Sequence, residues 1–209
     1  MRGIAGNRGK AAGAVLAAAV VALGASVFVV RSGDGGHEQV VAAPPVPTPA
    51  ATATCSTTTK PFVPTSVSIE GVSKKIAILP LPRDSSDIPG TPPLTTLGKQ
   101  SMAFDLGSGI RPGSLKGNAL LNAHTYPDGS ALGNKLLKEL KEGEQIQVAG
   151  PLGHMCYEVT KRVEVPAGTY KPYFDKKGKP QIAIVVCSGE RTGPGVWTKR
   201  TLWFASPVA

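Results

Sequence analysis

The sequence predicts a mainly β domain that closes into a small barrel with one or two short helices, set behind an apolar N-terminal segment and a linker. Three observations carry this. Short apolar stretches recur from Pro61 onward, separated by turn residues. One segment, residues 130–143, presents a clear helical face. Glycine (25) and proline (19) are plentiful among 209 residues, which favours short strands and many turns over long helices.

Residues 1–10 carry Arg2, Arg8 and Lys10, whereas residues 11–30, AAGAVLAAAVVALGASVFVV, carry no charge. A helix of that length, at about 1.5 Å per residue, matches the roughly 30 Å hydrocarbon core of a bilayer. The preceding basic residues predict a cytoplasmic N-terminus and an exported C-terminus. The run reads as an uncleaved transmembrane signal-anchor or as a signal peptide cut near Ala22–Ala25, and its length favours the anchor. Residues 31–60 form a linker. Fifteen of the 18 residues in 42–59 are Ala, Pro or Thr. Such a run buries too little apolar surface to offset chain entropy, and its prolines keep it extended as a stalk. Its threonines permit O-glycosylation.

The folded domain spans 61–209. SVSIEGV (66–72) and KIAILPL (75–81) read as strands, IPGTPP (88–93) as a loop, and NALLNAH (118–124) as a strand ending at His124. In 130–143, Leu132, Leu136, Leu137 and Leu140 share one helical face and Gly143 ends the pattern. EQIQVAG (144–150) and YEVTKRVEV (157–165) alternate as strands do. A polar segment, 166–180, precedes IAIVVCSGERTGPGVWTKRTLWFASPV (182–208), which reads as two strands joined by a polar loop.

The net charge of +9 is spread over short clusters such as Lys74-Lys75 and Lys176-Lys177. The interleaved basic and aromatic pattern of a nucleic-acid reader is missing. A solvated basic surface explains the charge, with weak attraction to anionic lipid or wall polymer as the next reading. No pair of His or Cys has convincing metal-ligand spacing and the acidic residues are scattered, so no metal or cofactor is expected.

Chemistry points to three residues. Cys187 ends an apolar strand and is followed by SGERTGPG, which opens it to solvent. Arg200 lies 13 residues later, a spacing that brings both to one sheet edge in a tight antiparallel pair. His124 also ends a strand and precedes a turn, TYPDG. A thiolate is a nucleophile favoured by a nearby cation. An imidazole protonates a leaving amine. A guanidinium binds a carbonyl or the oxyanion that develops from it. The other candidates read as structural. Cys156 sits among apolar neighbours as a buried thiol, and Cys55 sits in the stalk, where it could pair between chains or with Cys156. A Cys156–Cys187 disulfide would block the chemistry. His154 follows GPLG as a loop or strand-start residue, and His37 lies in the linker.

The stretch NAHTYPDGSALGNKLLKELKEGEQIQV, followed by the C-terminal strand pair, resembles the sortases, the cysteine transpeptidases of Gram-positive surfaces. AHTY resembles their Gly-His-Thr motif with Ala123 in place of Gly, IVVCSG stands at their Thr-Cys pair with Val186 in place of Thr, and GVWTKRTLWFASPV is similar to their closing strand. The resemblance covers roughly residues 64–209. The compact C-terminus and the stalk look more like the class F or class E forms than the pilus-building class C. It implies an eight-stranded barrel in which Cys187 attacks the Thr–Gly bond of an LPXTG-like sorting signal, His124 protonates the departing amine, and Arg200 holds the substrate backbone and oxyanion. It also implies surface-protein substrates, an acceptor amine on lipid II or a peptidoglycan cross-bridge, a monomer, and segment 166–180 as the loop over the signal-binding groove. An exported cysteine peptidase with the same three residues, or a non-catalytic wall-binding module on a stalk, are the competing readings.

With the anchor retained, full-length protein is expected in the membrane fraction. Recovery of soluble protein beginning near Ser26 would show cleavage instead.

Overall fold

The computed structural model of the protein describes residues 55–208. Eight strands follow the chain: β1 (Ser66–Ile69), β2 (Ser73–Leu81), β3 (Met102–Asp105), β4 (Asn118–Ala123), β5 (Gln145–Gly150), β6 (Gly153–Pro166), β7 (Gln181–Gly193) and β8 (Val196–Pro207). They close in the order β1-β2-β3-β4-β7-β8-β6-β5, and β1 pairs with β5. The β2–β3 and β4–β7 pairs are parallel and the rest antiparallel. The closed eight-stranded barrel expected from the sequence is therefore present. The segment 11–30, read as a membrane span, lies outside the described residues. Among the described residues, no helix is long and apolar enough to cross a membrane.

Alternation explains most strands. In β5, Ile146 and Val148 enter the core while Gln145 stays exposed. The central strand β4 and the first half of β7 are covered on both faces, as expected for a parallel pair, and apart from Asn118 and Asn122 their buried residues are largely apolar. Leu121, Ile182, Ile184 and Trp203 fill the barrel. Leu120, Ala183, Leu202 and Phe204 form a second cluster outside it, beneath Tyr173 of a 3-10 turn, Lys171–Phe174.

Two short helices accompany the strands: α1 (Thr96–Lys99) and α2 (Leu132–Glu139). Leu132, Leu136 and Leu140 of the α2 region are buried in the barrel core, and Trp203 Nε1 donates to the Leu140 carbonyl at 3.0 Å. The helix is shorter than the predicted 130–143. Asn134 organises its start: its Oδ1 accepts from the backbone N–H of Tyr126 and Ala131, and its Nδ2 donates to the Tyr126 carbonyl. At the other end Leu140 is already extended, and Gly143 turns the chain at φ +87° three residues later.

Three sequence expectations change. The loop predicted at 188–195 is instead a ribbon, since β7 and β8 stay paired to Gly193↔Val196 around two register shifts. Its residues are polar on both faces, so no alternation betrays the strand. Strand β3 was not expected, because all four of its residues are buried and show no period. Residues 55–60, read from composition as linker, lie on the barrel. Cys55 is disulfide-bonded to Cys156. Ser56 Oγ accepts from the Cys156 N–H, and the Thr57 N–H donates to the His154 carbonyl. Cys156 is thus half of a cross-link rather than a buried thiol.

The cross-link joins residues 101 apart in sequence. Cys55→Ser is expected to lower the unfolding free energy by about 2–4 kcal/mol, read as a shift in the urea midpoint.

Candidate active site

Strand register assembles the site. Ala123 pairs with Val186, so His124, the next residue, emerges level with Cys187 on the neighbouring strand. Cys187 in turn pairs directly with Arg200. The three residues thus leave adjacent strands, which lie about 4.8 Å apart, at one edge of the barrel. All three line a single cavity of about 300 Å³. The spatial convergence that sequence could not establish is therefore present.

Cys187 and His124 are held by residues outside their strands, and Arg200 by its own. The Thr125 hydroxyl donates to the Cys187 carbonyl at 2.7 Å and ties the end of β4 to the Cys187 backbone. The Gly133 N–H donates to the His124 carbonyl at 2.8 Å, and a Cβ at Gly133 would collide with that carbonyl. His124 Nε2 faces the Pro92 carbonyl at 2.5 Å. A carbonyl only accepts, so that nitrogen carries a proton. Arg200 Nη1 donates to the carbonyls of Lys199 (2.8 Å) and Trp197 (3.4 Å), folding the guanidinium onto its own strand.

Cys187 is the free cysteine among the described residues and is half-buried. Burial pushes its thiol above the ordinary value, and the Arg200 charge opposes that rise.

Two connections wall the cavity. Ile88, Pro89 and Thr91 come from the β2–β3 connection, and Tyr170, Tyr173 and Phe174 from the β6–β7 connection. Buried amides fasten both walls to β4. Asn122 Nδ2 donates to the Gly90 carbonyl at 2.9 Å, and Asn118 Nδ2 donates to the carbonyls of Pro172 and Tyr173. The Tyr173 hydroxyl donates to the Leu121 carbonyl at 3.0 Å. Sequence reading missed Asn118, Asn122 and Thr125. The signal for the two asparagines was their spacing, since 118, 122 and 124 fall on one face of a strand.

His154 lies elsewhere. Its Nε2 meets the Cys55 carbonyl at 2.8 Å and its Nδ1 meets Thr57 Oγ1 at 3.3 Å. With Cys55 and Cys156 it forms the one grouping of potential metal ligands among the described residues, and both sulfurs there are joined in the disulfide.

No family model matches the chain, and a search of curated proteins finds no match. Solved structures do match. Sortase C1 from Streptococcus suis aligns with TM-score 0.52 at 17% identity over 70% of this chain and 73% of that one. Sortase C1 from Streptococcus agalactiae aligns with TM-score 0.51 at 21% identity, covering 69% and 67%. Sortase C-1 from Actinomyces oris aligns with TM-score 0.50 at 18% identity, covering 69% and 73%. The fold of this chain is the sortase fold.

Alkylation of Cys187 by iodoacetamide is expected to rise with a pH midpoint above that of an ordinary thiol. Arg200→Ala should move the midpoint further up, because it removes the opposing charge and leaves the burial. A midpoint unchanged by that substitution would show that the guanidinium does not act on the sulfur.

Proposed function

We propose that the protein is a sortase-like cysteine transpeptidase, of class F or class E type, held by a single N-terminal membrane span with its catalytic domain outside the cell. The observation that carries this reading is the Cys187–Arg200 register pair with His124 beside it, open to one groove. Cys187 Sγ, as thiolate, attacks the carbonyl carbon of the Thr–Gly bond in an LPXTG-like signal. The Arg200 guanidinium turns from its own strand toward that carbonyl and stabilises the tetrahedral oxyanion. His124, as imidazolium, gives its proton to the departing glycine nitrogen, and the C–N bond breaks to leave a thioester on Cys187. An acceptor amine, on lipid II or a peptidoglycan cross-bridge, then attacks the thioester and yields a new amide, the released thiolate and a proton taken up by the imidazole. Covalent catalysis suits this task because the acyl group waits on sulfur for its amine. The apolar floor of the groove suits the leucine and proline of such a signal, and a proline-containing peptide loses little entropy on docking. Surface proteins bearing the signal are the substrates, the enzyme acts as a monomer, and no nucleic acid takes part.

Full-length protein in detergent is expected to cleave an LPXTG-like peptide. Cys187→Ala should abolish cleavage, and His124→Ala and Arg200→Ala should each lower kcat/KM by about 100-fold or more. Added triglycine should divert product from acid to amide. Hydrolysis unaffected by the amine would identify a peptidase, and full activity in Cys187→Ala would displace the nucleophile.

A further inference from the structure

The groove does not end at its aromatic wall. A second cavity of about 670 Å³ adjoins it and shares Ile88, Pro89, Gly168 and Phe174 with it. The apolar floor runs from Cys187 through Val185 and Leu202 to the aromatic residues of the β6–β7 connection, and the second cavity opens beyond them. Its polar lining includes Arg83, Asp87, Lys171 and Lys176.

The carboxylates around this trough are held in place by hydrogen bonds, and two of them, Asp87 and Asp105, pair with Arg83. Asp105 is buried and accepts from Arg83 Nη2 at 2.6 Å and Nε at 3.0 Å. Asp87 accepts from Arg83 Nη1 at 3.0 Å. Asp84 Oδ1 accepts from the N–H of Ser86 and Ile88, and Asp175 Oδ1 from the N–H of Lys177 and Gly178. Among the described residues, Lys171, Lys176, Lys177 and Lys179 make no direct ion pair. The β6–β7 connection carries Lys171, Lys176, Lys177 and Lys179 against one carboxylate, Asp175, so it presents net positive charge where the groove opens out.

We infer that this trough reads the residues just upstream of the sorting signal and favours acidic ones. The inference rests on the transpeptidase reading. With the scissile carbonyl at Cys187, the acyl half of the signal lies along the apolar floor at about 3.3 Å per residue. Residues preceding the leucine then pass the shared wall at Phe174 and enter the trough. Carboxylates there meet Lys171 and Lys176, while basic flanks meet like charge. Arg83 is locked by Asp105 and stacks at 5.9 Å from the Phe174 ring, so it shapes the trough and leaves the charge selection to the lysines.

The test uses full-length protein in detergent and three peptides with one signal, preceded by Asp-Asp, Ser-Ser or Lys-Lys. The Asp-Asp peptide is expected to show about 3- to 10-fold higher kcat/KM than the Lys-Lys peptide, carried by KM. That ratio should shrink as salt rises from about 0.05 to 0.5 M. In the double variant Lys171→Glu/Lys176→Glu it should invert. Equal cleavage of all three peptides, or a ratio untouched by the double variant, overturns the inference and leaves the transpeptidase reading standing. Cleavage of none of them overturns both.

Discussion

The cross-strand pairing of Cys187 with Arg200, one step beyond the parallel pairing of Ala123 with Val186, is the constraint on which the open edge depends. Side chains alternate between the two faces of a strand, so a slip of one residue in β7 would send the sulfur into the barrel and expose Val186. The interior prevents that slip. Ile182, Ile184 and Val186 pack inside with Trp203 and Ala205, and moving any one of them would unseat the rest. The hydrophobic core thus sets which atoms meet at the groove.

Polar side chains convert that register into a shaped cleft. Asn118 and Asn122 donate to backbone carbonyls of the walls, and Tyr173 of one wall donates to the Leu121 carbonyl of β4, so two long connections without regular ladders are held against the sheet. The Arg83–Asp105 pair does the same from the rear, with the Asp105 side chain wholly inaccessible to solvent. Breaking that pair from one side would strand a buried charge. Two buried hydroxyls among the described residues find no protein partner, Ser188 Oγ and Thr201 Oγ1. They follow Cys187 and Arg200 in sequence. Local rules are most often violated beside functional positions, and both exceptions fall beside the candidate site.

Legibility in the sequence followed amphipathicity. Strands with one wet face, such as β5, and the leucine face of α2 were visible because burial imposes a period. Strand β3, dry on both faces, and the ribbon beyond Cys187, wet on both, carry no period and were not read as strands. His124, Cys187 and Arg200 could be singled out by residue type and by their places at strand ends. Their proximity could not, because it follows from β4 lying beside β7 at a sequence separation of 63, a fact of topology that no local pattern encodes. The Cys55–Cys156 bond was open among several pairings, and composition hid that residues 55–60 belong to the barrel.

That bond has a consequence for the thiol at the other end of the molecule. Tyr157 pairs with Pro207 and Val165 with Arg200, which puts the cystine roughly 25 Å along the strands from Cys187. Thiol–disulfide exchange requires contact between sulfurs. Within one intact barrel the Cys187 thiol and the oxidised pair are therefore out of each other's reach, and exchange between them inside a single molecule requires the barrel to come apart.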